Sequence, residues 1–270
     1  MRKIQPGRTP QHPPNRRGTQ VARLVTLAAV VLCACTSRTD PLARIRDAGM
    51  LRIAIDPAFP PFEFVDGTGT LVGLDVDLGR QIATRLDVEA HFVTTGYDAL
   101  YDALTVGRAD VILSALYPDP SRMQNFVFTR SYFNAGAVLI VPETASITAS
   151  SDLAGKRVAL VFGTDAHVEA LRWEKTLHPA PTLLVENDAE TAIAVLSTNQ
   201  ADAALIDHVT ARIALAHTRG LRVILPPVTD EPYVVATRVE DAALIDEIDE
   251  IIKDLQSNDD LDALIEQWMQ

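Results

Sequence analysis

The feature that most constrains the fold of this chain is an alternation of short apolar runs with segments of helical periodicity. Runs rich in β-branched residues predict strands at 51–55, 91–94, 110–114, 138–141, 157–161, 182–185, 203–206, 222–225 and 233–237. Between them, apolar residues recur at helical spacing over 75–87, 188–198 and 241–255. Alternating strands and helices predict an α/β fold, with mostly parallel sheets flanked by helices.

Two irregular stretches divide this pattern into sets of comparable size. Residues 127–137 and 225–233 contain glycine or proline and interrupt the succession of strands and helices. If both are crossovers, the chain forms two lobes joined by a two-strand hinge, and the cleft between the lobes can enclose a small ligand. A single large sheet without a cleft is the alternative. The predicted divisions are lobe 1 at 45–134 with 232–270, lobe 2 at 138–228, and hinge crossovers at 135–137 and 229–231.

The first 34 residues have the pattern of an export signal. Residues 1–23 hold six basic residues and no acidic one. Residues 24–32 then form an apolar run well short of the ~20 residues that span a membrane. The LCAC that follows resembles the box of bacterial lipoproteins, which implies lipidation of Cys35 and a tether over 35–44; a plain secretory signal is the alternative. Either signal predicts export to the periplasm or the cell surface, with a membrane anchor in the first case.

Loss of the signal changes the charge and the cysteine content of the chain. The formal net charge is −12, and removal of six basic residues leaves −18. Such acidity disfavours nucleic acids and anionic membranes as partners. Cys35 is then the only cysteine, so neither an internal disulfide nor a thiolate metal site can form. The histidines lack metal-ligand spacing, and we expect no metal and no cofactor.

Five motifs follow one another along nearly the whole chain after the signal. They are LRIAIDPAFPPFEFVDGTGTLVGLDVDLGRQIATRLDVEAHFVTTGY, DALYDALTVGRADVILSALYPDPSRM, DLAGKRVALVFGTDAHVEAL, NQADAALIDHVTA and TDEPYVVAT. In this order they resemble the bacterial extracellular solute-binding proteins of family 3, which serve ABC importers of polar amino acids. The resemblance implies a two-lobed periplasmic-binding-protein-like fold of type II, a ligand that is an amino acid or related amine, and ABC permease subunits as partners. We expect a monomer without enzymatic activity.

The resemblance also implies partners for the two charged groups of an amino acid. Arg122 stands in a loop with two prolines, where its guanidinium can meet a carboxylate through two parallel hydrogen bonds. It matches the arginine that binds the α-carboxylate in the family. Asp207 follows a predicted strand and matches the aspartate that accepts from the α-ammonium. Capping of the next helix is the alternative role of Asp207, and both roles can coexist.

Aromatic residues are expected to shape the pocket. Phe59 and Tyr97 match two rings that lie against the ligand in the family, and such a slot can hold an aliphatic chain or a cationic head. Phe62 and Phe64 are interpreted as packing residues, because they alternate with the polar Glu63 in PPFEF. Of these three phenylalanines, one is therefore expected to contact the ligand.

Further expected ligand contacts are Asp56, Ser114, Ala115, Tyr117, Gly163, Thr164 and Asp165. Asp56 matches an acid that meets the distal charge of basic amino acids in some relatives, and it favours a cationic or polar ligand. Tyr117 is bulkier than the usual hydroxyl residue and can narrow the slot. Gly163 permits a turn into a helix whose free N–H groups can hold an anion. Asp165 departs from the Thr or Ser of the family; it either faces the pocket or caps that helix.

The rival function is enzymatic. Some relatives of this fold are cyclohexadienyl or arogenate dehydratases, which need an acid in the pocket to protonate a leaving hydroxyl. Asp165 or Asp56 would be the candidates for that role. Nothing in the sequence matches that specialised site well, so the binding function is preferred. No hydrolase elbow, phosphate-binding loop or dinucleotide fingerprint occurs either.

Overall fold

The computed structural model describes residues 40–269, so the expected signal and Cys35 lie outside the described residues. The helices are α1 Pro41–Ala48, α2 Leu74–Arg85, α3 Leu100–Thr105, α4 Asp165–Thr176, α5 Ala189–Ser197, α6 His208–Ala216, α7 Ala242–Ser257 and α8 Asp260–Trp268. The strands are β1 Met50–Ile55, β2 Ala58–Phe59, β3 Glu63–Val65, β4 Leu71–Val72, β5 Glu89–Thr94, β6 Val111–Leu116, β7 Phe126–Phe128, β8 Phe133–Asn134, β9 Ala137–Pro142, β10 Arg157–Val161, β11 Thr182–Glu186, β12 Ala203–Asp207, β13 Leu221–Ile224 and β14 Pro232–Arg238. Within this part of the chain, no helix has both the length and the apolar character needed to cross a membrane.

The larger sheet is mixed and carries helices on both faces. Its order is β5-β1-β6-β14-β7, and β8 also pairs with β14. β5, β1 and β6 are parallel, whereas β14 runs antiparallel to β6 and β7. Leu51 and Ile53 of β1 pack into a core with α1, α2, α7 and α8, and Ala54 packs with α3 on the opposite face. This alternation follows from the period of two in a strand.

The second sheet has the same plan. Its order is β11-β10-β12-β9-β13, with β11, β10 and β12 parallel and β9 antiparallel to both of its neighbours. Val158 and Leu160 of β10 face α4, and Ala159 faces α5 and α6. The parallel part of each sheet agrees with the predicted strand-helix alternation, and the antiparallel part comes from the strands that enter after a crossover.

An Arg–Asp pair recurs at the start of the parallel strands in both sheets. Arg52 donates from its backbone N and Nε to Asp110 Oδ2 at 3.0 and 2.9 Å, and from Nη2 to Oδ1 at 2.7 Å. Arg157 makes the same three contacts with Asp202, at 2.8, 3.2 and 2.9 Å. Each aspartate directly precedes the strand that pairs with the strand of its arginine, β6 for Asp110 and β12 for Asp202. The two sheets are thus built on a repeated strand-helix-strand plan.

The two crossovers between the sheets lie side by side. The N–H of Ala135 donates to the carbonyl oxygen of Glu231 at 2.9 Å, and the N–H of Ala137 donates to Thr229 Oγ1 at 2.7 Å. A Cβ at Gly136 would lie 1.9 Å from the carbonyl oxygen of Thr229, so only glycine allows this approach. These segments are the ones expected to form the hinge.

The expected tether near the start of the described part needs correction. Helix α1 begins at Pro41 with Asp40 as its N-cap, because Asp40 Oδ1 accepts from the N–H of Leu42 at 3.1 Å. The helix buries Ile45, so residues 41–44 belong to this helix and not to the expected tether over 35–44. After β1, next to the prolines of this segment, the short strand β2 pairs with β3.

The expected alternation around Glu63 was also wrong. Phe62 and Glu63 are both buried, with 0 and 1 % of their surfaces exposed. Phe64 is half-buried and packs edge-on against Trp268 with ring centroids 6.0 Å apart. Glu63 turns inward because its Oε1 accepts a hydrogen bond from Ser114 Oγ in the interior. The packing role of Phe62 is confirmed by its burial.

Candidate functional site

The expected site residues follow the carboxyl ends of strands in both sheets. Asp56 follows β1 and Tyr117 follows β6 in the larger sheet. Gly163 lies just after β10, and Asp207 ends β12 in the second sheet. The carboxyl ends of parallel strands are the usual place for ligand sites in α/β proteins, because loops and helix N-termini converge there. Both sheets therefore present candidate binding groups at their equivalent ends.

An acidic cavity of ≈ 200 Å³ lies at this end of the second sheet. Its polar lining includes Thr164, Asp165, Asp207 and Glu231, and no basic side chain from the described part of the chain lines it. Burial raises the pKa of Glu231, and the negative charges of Asp165 and Asp207 raise it further. We call this the acidic cavity; its field favours a positively charged group.

The helix caps decide the orientation of the acids in this cavity. Thr164 is the N-cap of α4: its Oγ1 accepts from the N–H of His167 at 3.3 Å and donates to the carbonyl of Val161 at 2.9 Å. Asp165 is the first helical residue, so the alternative that it caps the helix was wrong, and it lines the cavity instead. Asp207 caps α6 through Oδ1, which accepts from the N–H of Thr210 at 2.9 Å. Since this contact uses one oxygen, Oδ2 can accept from a ligand.

Arg122 lies in a second cavity at the end of the larger sheet. This aromatic cavity has a volume of ≈ 440 Å³, and Tyr97, Tyr101 and Tyr117 line it with Arg122. The guanidinium carbon of Arg122 lies 4.3 Å from the centroid of the Tyr101 ring, and its Nε donates to Asp119 Oδ2 at 3.1 Å. Among the described residues, Nη1 and Nη2 of Arg122 have no hydrogen-bond partner, so they can still bind a carboxylate.

Tyr117 connects the two cavities. It lines the aromatic cavity, and its Oη donates to Glu231 Oε2 of the acidic cavity at 3.4 Å. The same Oη lies 3.3 Å from Tyr233 Oη. The structure therefore places Arg122 and Asp207 in neighbouring cavities and not in one, with the Tyr117–Glu231 contact between them.

The surface of the larger sheet that carries Asp56, Phe59 and Tyr97, here called the wall, presents the expected aromatic residues. Phe59 is 46 % exposed and stacks on Phe62 with centroids 5.6 Å apart, and Tyr97 is 44 % exposed. Asp56 Oδ2 accepts from the N–H of Tyr97 at 3.0 Å, and the N–H of Asp56 donates to Ser114 Oγ at 2.9 Å. Asp56 thus fixes the start of the segment that carries Tyr97.

Ser114 and Ala115 do not line the site, contrary to expectation. Both are buried, and the hydroxyl of Ser114 donates to Glu63 Oε1 at 2.8 Å. The N–H of Ala115 donates to Asp75 Oδ2 at 2.7 Å. The Ser114 hydroxyl and the Ala115 N–H are thus hydrogen-bonded inside the protein. The two residues lie beneath the wall and do not reach its surface. The N–H of Gly163 is also hydrogen-bonded within the protein, because it donates to His167 Nδ1 at 3.1 Å.

The sequence analysis missed several residues of this region. Glu231 lies in an expected hinge crossover, and only its charge beside a proline could have indicated a role. Tyr101 supports Arg122 through its ring, and Glu63 and Asp75 lie beneath the wall. No group of three or more potential metal ligands in the described part of the chain has the geometry of a metal site.

Comparison with known proteins gives a family match over most of the chain. The model of the bacterial extracellular solute-binding proteins, family 3, matches residues 51–270. The L-arginine-binding protein of Pseudomonas aeruginosa is 30 % identical over 218 residues, which cover 77 % of this chain and 83 % of that protein. A crystal structure of a mutant of ArgBP from T. maritima matches with 32 % identity and a TM-score of 0.51, covering 84 % of this chain and 98 % of that one.

A third similarity concerns the fold alone. The crystal structure of an ancestral cyclohexadienyl dehydratase, AncCDT-3, matches with a TM-score of 0.74 at 21 % identity and covers 87 % of this chain and 97 % of that one. The structural neighbours are type II periplasmic binding proteins, which confirms the predicted fold class.

Proposed function

Because the chain belongs to the bacterial extracellular solute-binding proteins, family 3, we propose that it is the extracytoplasmic receptor of an ABC importer and captures an amino acid or related amine. The observation that carries this proposal is the pair of neighbouring cavities at the ends of the two sheets. One cavity offers the guanidinium of Arg122, and the other offers the carboxylate of Asp207. A zwitterion needs both groups.

Because Arg122 and Asp207 lie in two separate cavities, we propose that the two lobes close when the ligand binds. We place the lobes at 45–134 with 232–270 and at 138–228, joined by the crossovers that approach each other at Gly136. A ligand whose carboxylate binds Arg122 and whose ammonium binds Asp207 contacts both lobes only when they come together. Such contacts stabilise the closed form over the open one, so binding shifts the population toward closure.

The charges of the site favour a basic amino acid. The acidic cavity holds three carboxylates, of Asp165, Asp207 and Glu231, while Arg122 is already paired with Asp119. An ammonium group alone would leave two carboxylates without a cation. A side chain with its own positive charge, as in L-arginine, balances one more of them. The binding named for the relatives in P. aeruginosa and T. maritima agrees with this choice.

The location and the partners are proposed from the family and the signal. Family members are periplasmic proteins. We place this chain outside the cytoplasm, as a monomer that delivers its ligand to ABC permease subunits. The LCAC motif supports a lipid anchor at Cys35. Cleavage without lipidation would leave the receptor free in the same compartment.

The enzymatic alternative has one observation in its favour. Burial and neighbouring charges raise the pKa of Glu231, as a general acid in the cavity would require. The dehydratase neighbour, however, shares only 21 % identity, and that similarity extends to the fold alone. We therefore propose a receptor that does not convert its ligand.

Isothermal titration of the mature protein with L-arginine tests this function. We expect one bound ligand, recovered unchanged, and loss of binding in Arg122→Ala. Arg80→Ala is the matched control, because Arg80 forms an exposed ion pair with Asp77 on α2. Equal binding in both variants, or consumption of a prephenate-like substrate, would contradict the proposal.

A further inference from the structure

Two acidic side chains, Glu63 on β3 and Asp75 on α2, lie buried beneath the candidate site. Their exposed fractions are 1 and 0 %. Glu63 Oε1 accepts from Ser114 Oγ at 2.8 Å. Asp75 Oδ2 accepts from the N–H of Ala115 at 2.7 Å and from Tyr132 Oη at 2.8 Å. The other oxygens, Glu63 Oε2 and Asp75 Oδ1, have no donor among the described residues.

The backbone N–H of Asp75 donates to the carbonyl oxygen of Phe62, the residue before Glu63, at 2.9 Å, and the nearby carboxyl of Asp75 raises the pKa of Glu63. A hydrogen bond between carboxyls requires a proton, because two carboxylates offer only acceptors. A single proton between Glu63 Oε2 and Asp75 Oδ1 gives both oxygens a partner and leaves one negative charge in the interior. Burial raises the pKa of both groups, whereas the donors Ala115 and Tyr132 lower the pKa of Asp75. The proton therefore belongs to Glu63, and Asp75 carries the charge.

Within residues 40–269, the groups that face this pair bring no positive charge. They are the hydroxyls of Ser114, Tyr97, Tyr132 and Tyr233, the N–H of Ala115, and the carboxylate of Asp56. The carboxylate of Asp56 raises the pKa of Glu63 further. With no cation to offset a second buried charge, the shared proton is what allows both acids to stay in the interior.

Each member of the pair is connected to the wall of the site. Glu63 Oε1 accepts a hydrogen bond from the hydroxyl of Ser114. The oxygen of that hydroxyl accepts in turn from the N–H of Asp56 at 2.9 Å. Asp75 holds the N–H of Ala115, whose φ of +41° is a conformation that a residue with a Cβ rarely adopts. Tyr117 follows two residues later and joins the two cavities.

We propose that Glu63 and Asp75 form a proton-sharing pair that positions the ligand-facing residues, Glu63 through Ser114 to Asp56 and Asp75 through Ala115 to Tyr117. The inference rests on the proposed function, since the positioned residues are those assigned to the ligand. Loss of the proton at alkaline pH places two like charges side by side, disturbs both connections and weakens binding.

The pair can be tested without any ligand. Amide resonances of Asp56 and Ala115 are followed by NMR in the mature protein from neutral to alkaline pH. We expect both to titrate with a common alkaline midpoint in the wild type and to stay constant in Glu63→Gln, whose amide donates to Asp75 without a titratable proton. Constant resonances in the wild type, or the same titration in Glu63→Gln, would overturn the proposal.

The positioning role is tested with L-arginine as the probe. The readout is the ratio of the wild-type and Glu63→Gln affinities, because titration of the ligand itself cancels in that ratio. We expect a ratio near one at neutral pH that falls about tenfold for each pH unit above the alkaline midpoint. Glu63→Leu, which offers no proton, should bind at least tenfold more weakly at neutral pH. A ratio independent of pH overturns the positioning role.

A wrong assignment of the ligand can be told apart from a wrong assignment of the shared proton. If L-arginine does not bind the wild type, the assignment of the ligand fails, while the amide titration still decides whether the pair shares a proton. If Glu63→Leu does not fold, the Glu63→Gln comparison remains decisive, because the glutamine keeps the size and hydrogen bonds of the glutamate.

Discussion

Replacing Glu63 by glutamine should make the protein more stable, increasingly so as the pH rises. The reason is the proton that the buried pair keeps. Burial raises the pKa of Glu63 to about 10, and that of Asp75 to about 6, from ordinary values of 4.5 and 3.8. Between about pH 6 and pH 10 the folded pair therefore holds one proton that the unfolded chain has released.

The sign and the size follow from proton linkage. A folded state that binds one more proton than the unfolded state loses stability as the pH rises, by about 1.4 kcal/mol per pH unit. From pH 6 to pH 8 this pair alone lowers the free energy of unfolding by roughly 2.7 kcal/mol. Glutamine does not titrate, so the free energy of unfolding of Glu63→Gln does not decrease with pH through this pair.

Urea unfolding followed by circular dichroism at several pH values measures the difference. We expect the free energies of unfolding of Glu63→Gln and the wild type to diverge linearly above about pH 6, with the variant more stable. Glu174→Gln, on the exposed side of α4, is the matched control and should run parallel to the wild type. If Glu63→Gln also runs parallel to the wild type, the buried pair does not hold a proton.

Three further perturbations follow from the structure. Gly136→Ala should destabilise the protein by about 1–3 kcal/mol, because its Cβ meets the facing backbone, whereas Gly67→Ala has open space and should have little effect; thermal unfolding compares them. Asp110→Asn should cost about 3 kcal/mol and Asp202→Asn less than about 1 kcal/mol, because the Asp110 side chain is 2 % exposed and the Asp202 side chain 31 %. Asp165→Asn should weaken L-arginine binding by up to about fivefold, by removal of one carboxylate from the acidic cavity, as calorimetry can measure.

Each of these has a result that would contradict it. Equal melting temperatures for the two glycine variants would mean that the crossovers can separate without cost. Equal losses in the two Asp→Asn variants would show that burial does not set the strength of these ion pairs. Unchanged or tighter arginine binding in Asp165→Asn would place that carboxylate outside the binding site.

The longer strands and three of the helices were predictable because their apolar residues repeat at a regular spacing. The expected run at 157–161 agrees with β10 residue for residue, and the helix expected over 75–87 agrees with α2 within two residues at each end. The short strands were not predictable. β2 spans only Ala58–Phe59 next to two prolines, and its pairing with β3 depends on a turn that no local periodicity reveals.

The ligand-facing residues of the candidate site were predictable from the sequence, whereas the buried acids beneath them were not. The resemblance indicated Asp207 and Arg122, but their division between two cavities depends on how Tyr117 meets Glu231 across the crossovers. Glu63 looked like an exposed polar residue because its neighbours are phenylalanines. Its carboxyl accepts from Ser114 and lies near Asp75, an acid from another element, and sequence spacing cannot show that these distant residues meet in the interior.

The central claim is that a single ligand binds both lobes and closes them. Small-angle X-ray scattering of the mature protein with and without L-arginine measures this directly through the radius of gyration. We predict a decrease on addition of the ligand in the wild type and no change in Arg122→Ala. Saturated binding of L-arginine to the wild type with an unchanged radius of gyration would contradict the claim.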